Sequence, residues 1–350
     1  MPIEKTSKEK KHAEKVDKDF DKIIADLNKD YGQGSVMRLR ADKIAEQKAG
    51  RIVIPTASLE LDRATGVGGL MTGTVVEIYG GESSGKTTTV LQTLANAQRI
   101  AKKRELACAF IDAEQSYDFE YADALGVVQE DLFFSQPDNG EQAINIARTM
   151  IRSGKFLFIA IDSVAMLVPK AELENPMDKE TMGGLARLMG KTVRKLRRMA
   201  RKYNVCLVFI NQTRTKFNVM FGDPEDTPGG KALRFAADMR IQLKMMGAIK
   251  KGDDKIANKT QAYLKKNKCA KPHRKALFNI HYGKGVDKVL DLWNCLDSTG
   301  MGEWIKKKNK AKKFYVGDYA FNDYDEFKDR MEMDPKVKKI FIKMLRTSWQ

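Results

Sequence analysis

No long apolar run occurs in the 350 residues: the longest candidate, "FLFIAIDSVAMLV", is broken by Asp162, whereas a membrane span needs about 20 apolar residues in succession. A soluble protein without a membrane partner is expected. The opening "MPIEKTSKEKKHAEK" has no apolar core for a secretory signal, and its glutamates argue against a transit peptide, so the expected location is cytoplasmic. Cysteine is scarce and scattered. Cys108, Cys206, Cys269 and Cys295 lack CxxC spacing, and only His12, His273 and His281 could join them on a metal, so reduced thiols are expected. There is no internal repeat. Acid is short as well: 46 Asp+Glu stand against 63 Lys+Arg, a formal net charge of +17, which favours a polyanionic partner such as nucleic acid or an acidic membrane surface.

At about 150 residues per domain the length leaves room for roughly two domains. Residues 1–18 read as a solvated, partly disordered basic arm. Helical spacing of Phe20, Ile23, Ile24 and Leu27 begins near "DFDKIIADLNKDYG", and a neighbouring subunit would give that helix something to pack on. From Thr74 apolar strands alternate with amphipathic helices: "TVVEIYG", "LACAFID", "LFFSQ", "FLFIAID" and "VCLVFINQ" with helices between. This predicts an α/β fold, a mainly parallel sheet flanked by helices. After Arg240, "RIQLKMM", "TQAYLKKNK" and "KALFNIHYG" read as antiparallel strands extending the sheet, with a turn at "GAIKKGDDK". The expected division is 1–55, an arm and oligomerisation element; 56–285, the core; and 286–350, a small basic α+β domain.

"GGESSGKT" places Gly80, Gly85, Lys86 and Thr87 in a GxxxxGK[ST] pattern between a strand and a helix. Glycines let backbone N–H groups curl around phosphate oxygens, and the helix N-terminus adds favourable partial charge. The loop Gly80, Gly81, Glu82, Ser83, Ser84, Gly85, with Lys86, Thr87 and Thr88, is therefore the expected ATP site. Thr87 and Asp162, the latter ending "LFIAID", are the expected Mg2+ partners. Glu114 in "FIDAEQ" suits a water-activating base, and is otherwise a solvent-facing carboxylate at a loop start. In "FINQTR" another strand ends in Gln212, which could bond the outer phosphate and report its loss to the next loop.

Two long stretches, 169–184 and 213–230, carry no apolar period, and loops of that length are usually functional or disordered. The second holds Arg214, Lys216, Phe217, Met220 and Phe221 and ends in Gly229 and Gly230, a mixture of cations and apolar groups suited to single-stranded nucleic acid. Arg187, Lys191, Arg194 and Arg198 recur at helical spacing, either as a nucleic-acid-facing stripe or as a solvated face.

Together "GSVMRL", "GGLMTGTVVEIYGGESSGKTT", "AFIDAEQ", "SQPDNGEQA", "IDSVAMLVPKAELE", "FINQTRTKFNVMFGDPEDTPGGKALRF" and "KKNKCAKP" give a chain that resembles the bacterial RecA recombinase family from about Asp19 to Gly285. The resemblance implies a RecA-like core and an ATP-dependent recombinase that polymerises helically on single-stranded DNA, pairs it with homologous duplex and exchanges strands. It implies that Glu114 activates water, that Lys86 serves catalysis beside it, and that Gln212 couples ATP state to the second DNA loop. Asp118, Tyr121 and Tyr282 match adenine-site residues. Lys266 and Lys268 match lysines that reach the ATP of an adjacent subunit, and Phe235 a residue of the subunit relay. Met182, Arg187, Arg194, Arg214, Lys216, Phe217, Gly229 and Gly230 fall on DNA-contact positions. "DFDKIIADLNKDYG" and "IVIPTASLELD" match the polymerisation element, and recombination mediators and a single-strand-binding protein are implied partners.

This sequence also departs from the pattern. Gly81 stands where many members have proline, Pro176 and Lys179 lie in a poorly matched first loop, and Lys231 replaces a usual asparagine. The segment ending "KMLRTSWQ" carries no acidic tail, from which faster loading on duplex or protein-coated DNA is expected. These divergences and the lysine-rich arm suggest a bacteriophage-encoded member. A ring-forming helicase-like motor shares the nucleotide core, but "KKNK" and the docking arm argue against it. An ATP-gated coat on single-stranded DNA is the other alternative, and Glu114 with the paired loops weighs against it.

Overall fold

The computed structural model describes residues 7–39, 50–174, 183–215, 225–306 and 311–349. The expected DNA contacts Met182, Lys216 and Phe217, with Pro176 and Lys179, lie outside the described residues. The chain divides into two compact units, Met1–Gly50 and Arg51–Gln350.

In the first unit, α1 (Ser7–Tyr31) is helical from Ser7 rather than from Asp19. Lys, Glu and Ala propagate a helix by intrinsic preference, so the added turns need no apolar period to mark them. Val16, Phe20 and Ile23 are exposed and share one stripe of the helix. The chain leaving α1 folds back on it: Asn28 donates to the Val36 carbonyl at 2.9 Å and accepts from the Val36 amide at 3.0 Å. Arg38 pairs with Asp17 at 2.7 Å and lies over the Phe20 ring.

The second unit opens with short strands β1 (Val53–Ile54) and β2 (Leu70–Met71) on either side of helix α2 (Leu59–Thr65). Then follow β3 (Val75–Gly80), α3 (Lys86–Lys102), β4 (Ala107–Asp112), α4 (Phe119–Ala124), β5 (Leu132–Ser135), α5 (Gly140–Ser153), β6 (Phe156–Asp162) and α6 (Lys170–Glu174). Next come α7 (Gly184–Lys202), β7 (Cys206–Gln212), the two-residue strands β8 (Arg214–Thr215) and β9 (Glu225–Asp226), and α8 (Gly230–Ala236). The sheet is completed by β10 (Met239–Lys251), β11 (Asp254–Asn267), β12 (Lys275–His281) and β13 (Gly285–Val286). These make a nine-stranded sheet in the order β13-β12-β11-β10-β3-β7-β6-β4-β5, parallel from β10 to β5 and antiparallel beyond, as the alternation predicts.

Successive residues of the buried strands feed opposite faces. Val76, Phe110, Phe158 and Val208 join the core under α3, whereas Val75, Ile111, Ile159 and Phe209 join the core under α5 and α7. Burial on both faces explains why these strands read as unbroken apolar runs. One local expectation changes: β10 and β11 continue through the presumed turn and reverse only at Gly252–Asp253. The outer half of that hairpin is largely solvent-exposed, so its lysines meet no burial cost, and Gly247 sits at a register shift in the ladder.

After β13, α9 (Lys288–Ser298), the antiparallel β14 (Gly302–Lys306), β15 (Lys312–Val316) and β16 (Tyr319–Phe321), then α10 (Tyr324–Met333) and α11 (Pro335–Ser348), enclose a separate apolar cluster. Its centre is aromatic: Trp293, Phe314, Phe321, Phe327 and Phe341. Asp291 joins this region to α2, accepting from the Ser58 hydroxyl at 2.7 Å and the Leu59 amide at 2.5 Å.

Candidate functional site

Parallel strands that all point one way bring their carboxyl ends to one edge, where such sheets bind ligands. Here the ladder puts Gly80 of β3 beside Gln212 of β7, and Asp112 of β4 beside Asp162 of β6. Residues Gly81–Gly85 join β3 to α3. A Cβ on Gly80 would fall 2.2 Å from the Leu243 carbonyl oxygen, so the strand approaches β10 too closely for any side chain. Gly85 has φ +88, and a Cβ there would strike Ile280; it starts α3 with no side-chain cap. The loop therefore presents backbone amides at an uncapped helix N-terminus, the arrangement that binds phosphate.

Lys86 bends back to donate to the Gly81 carbonyl at 2.7 Å. Burial lowers its amine below the usual value, while Asp162, Glu114 and Glu82 oppose that shift. The Thr87 hydroxyl donates to Asp162 at 2.8 Å. Burial pushes Asp162 up to about 7 against that hydrogen bond, and Glu114 and Asp112 push it further. Two hard oxygens side by side at the foot of a phosphate loop suit Mg2+. Among the described residues no group of three or more His, Cys, Asp or Glu could hold a metal by itself.

Glu82 and Ser83 are exposed on the loop, Ser83 with φ +54, and Ser84 is buried and donates to the Gly81 carbonyl at 2.8 Å. Thr88 and Tyr121 share a hydroxyl hydrogen bond of 2.8 Å, and Asp118 caps α4 by accepting from the Tyr121 amide. Tyr282 donates to Asn258 at 2.8 Å, and Asn258 donates to the Ser83 carbonyl at 3.3 Å. Thus Asp118, Tyr121 and Tyr282 all connect to the loop or to α3. Asn258 is a residue that sequence reasoning missed, since one asparagine in an alternating strand gives no signal until β11 is known to lie near the loop.

The two acids of "FIDAEQ" part company. Asp112 is 1% exposed and accepts from the Ser116 and Tyr117 amides and the Gln136 side chain, so it shapes its own loop. Glu114 is half-buried, its amide tied to the Asp162 carbonyl at 3.0 Å, and its charge acts on both Lys86 and Asp162.

From Gln212 a path leads to the second loop. Neighbouring Asn211 donates to Glu77 and to the Pro228 carbonyl, both at 3.0 Å, and Glu77 is fully buried in an ion pair with Arg240. Pro228 precedes Gly229 and Gly230, with φ +88 and +69, which lie against Met189 and Ala186 of α7. Gly183 starts α7 with no side-chain cap and no acid in the first turn. Arg187, Arg194 and Arg214 are all exposed in this neighbourhood, Arg214 on β8 at the foot of the loop opposite Asp226.

Lys266 and Lys268 lie elsewhere. Lys266 pairs with Arg240, and Arg240 with Glu77, which precedes Gly80 by three residues, so about 10 Å of strand separates their level from the phosphate loop. Lys266 donates to the Arg234 and Phe235 carbonyls at 2.7 and 3.0 Å, and burial beside Lys268 pushes its amine down to about 8. Phe235 next to it is 73% exposed.

Residues 18–287 match the RecA N-terminal domain family. The chain belongs to the RecA family. It is 46% identical over 302 residues to Protein RecA of Geobacter sulfurreducens, covering 86% of each chain. It is 45% identical over 282 residues to Protein RecA of Citrifermentans bemidjiense, covering 80% of this chain and 81% of that one. With Protein RecA of Salinispora tropica the identity is 42% over 330 residues, 93% of this chain and 91% of the relative. As a RecA recombinase the chain acts in recombination and repair as a DNA-dependent ATPase with strand-exchange activity. It uses ATP, binds DNA and forms filaments. No helix among the described residues is long and apolar enough to cross a membrane.

Proposed function

We propose that ATP binds on the chain's own phosphate loop and that its site is completed by Lys266 and Lys268 of a neighbouring subunit, so that assembly on single-stranded DNA and hydrolysis form one coupled process. The observation that carries this is the register: Lys266 lies level with Glu77 and Lys268 beyond it, at least about 10 Å of strand from Gly80, and Lys266 is held by the Arg234 and Phe235 carbonyls, so the nucleotide they reach is that of another copy. Amides of Gly80, Gly81, Glu82, Ser83, Ser84 and Gly85, with Lys86 and Thr88, hold the phosphates, and Asp118, Tyr121 and Tyr282 flank the base. Thr87 and Asp162 hold Mg2+, which when bound neutralises charge on the transferring phosphoryl group. Glu114 takes the proton of the attacking water. Gln212 bonds the outer phosphate and, through Asn211 and Pro228, biases the second loop.

DNA phosphates meet Arg187, Arg194, Arg214, Lys216 and the amides of Gly229 and Gly230, and Met182 and Phe217 contact the bases. The exposed stripe of α1 and the segment around β1 dock on a neighbour, giving a helical filament because a head-to-tail contact need not close. Homologous duplex is the second DNA. Mediators and a single-strand-binding protein are further partners, the location is cytoplasmic, and the functional division is 1–55, 56–285 and 286–350. The test is ATP hydrolysis with and without single-stranded DNA for the natural chain and Glu114→Gln. DNA-stimulated hydrolysis lost in the variant while DNA binding persists is expected; hydrolysis that survives the change removes Glu114 from its role.

A further inference from the structure

A cationic cavity of about 350 Å3 lies between the sheet core and the C-terminal region, and none of the phosphate-loop residues line it. Arg99 of α3, Lys288 of α9, and Lys338 and Arg346 of α11 converge on it, with Asp62 and Asp291 as its acids. Both carboxylates are already engaged: Asp62 accepts from the Thr56 amide at 2.7 Å and faces Arg346 at 3.4 Å, and Asp291 is taken by Ser58 and Leu59. Among the described residues no ion pair reaches Arg99, Lys288 or Lys338. Leu59, Ile100 and Ile342 supply an apolar wall.

The placement of the lysines is itself unfavourable without an anion. Lys288 is the first residue of α9 and Lys338 stands in the first turn of α11, the end of a helix where the dipole disfavours a cation; the capping carboxylates Asp287 and Asp334 are taken up by backbone amides of their own first turns. Burial lowers both amines; Arg99 and Lys338 add repulsion at Lys288, while Asp287 and Glu332 only partly offset the cost at Lys338. A negative ligand would offset the burial cost and the mutual repulsion together. Small-molecule pockets begin at roughly 300 Å3, so the space takes a compact, highly charged group.

We propose that the cavity lined by Arg99, Lys288 and Lys338 binds a di- or triphosphate group, free or as the phosphate end of a nucleotide, and so clamps the C-terminal region onto the core. Arg99 lies thirteen residues along the same helix from Lys86, about 20 Å at 1.5 Å per residue, so the site is distinct from the phosphate loop yet shares a rigid element with it.

The test is calorimetric titration of inorganic pyrophosphate into the full chain, into Lys86→Ala, and into Lys288→Gln/Lys338→Gln. Binding that persists in Lys86→Ala and weakens at least about tenfold in the double variant is expected. Binding abolished by Lys86→Ala and untouched in the double variant, or no binding up to about 10 mM in any form, overturns the proposal. Retained DNA-stimulated ATP hydrolysis in the double variant shows that it is folded and separates this site from the proposed catalytic one. In Lys86→Ala, displacement of pyrophosphate by ATP identifies a nucleotide as the source, and failure to displace it identifies free polyphosphate.

Discussion

Replacing Phe235 by alanine separates folding from assembly. The ring is 73% exposed, so within one chain it contributes little, and Phe235→Ala is expected to change unfolding free energy by less than about 0.5 kcal/mol. A phenylalanine presents roughly 200 Å2, of which about 150 Å2 is free here to be covered by a neighbour. At about 25 cal/mol per Å2 that is up to about 4 kcal/mol per subunit contact, and ordering costs reduce it to about 2–4 kcal/mol. Subunit association then weakens roughly 30- to 700-fold. Urea unfolding reads the first quantity; light scattering without DNA, and the cooperativity of binding to long single strands, read the second. A large drop in urea stability with unchanged assembly would refute the reasoning, because it would mean the ring is part of the chain's own core rather than of an interface.

Gly80→Ala is expected to cost several kcal/mol in urea unfolding, since its Cβ would press on the Leu243 carbonyl, whereas at Gly81 a Cβ meets only the Thr213 hydroxyl at 4.0 Å and Gly81→Ala should stay within about 0.5 kcal/mol. Asn258→Ala breaks the link from Tyr282 to Ser83; KM for ATP should rise roughly tenfold with kcat little changed, as measured by steady-state hydrolysis. Burial pushes Asp62 and Asp291 up to about 7 from 3.8. The folded state thus binds more protons than the unfolded one between these values, so their contribution is full below about pH 4 and is lost as pH rises toward 7. Asp291→Asn should flatten the fall in thermal stability between about pH 4 and pH 7, and an unchanged slope would show that the carboxyl is already ionised.

The phosphate loop, the order of strands and helices, and the carboxylates that end the strands were legible because each depends on neighbours a few residues away. Apolar runs mark strands buried on both faces, and a glycine-rich turn before a helix is a local chemical pattern. The extra turns of α1 and the outer half of the β10–β11 hairpin were not legible: both are rich in charged residues, and neither carries a hydrophobic period. Asp112 and Glu114 look equivalent in "FIDAEQ", yet one is consumed by its own loop and the other faces Lys86.

By itself, then, the sequence determined that this protein has a phosphate-binding α/β core, a basic character and two long loops after sheet strands. Only the tertiary structure decided which groups meet. Arg240 pairs with Glu77 across 163 residues of chain, which sets β10 beside β3 and leaves Lys266 level with Glu77, about 10 Å of strand from Gly80. Asn258 reaches Ser83 over a comparable separation, and Arg99, Lys288 and Lys338 line one cavity from three helices. Strand order and helix docking are settled by summed burial over the whole core, a quantity that no short window of sequence contains.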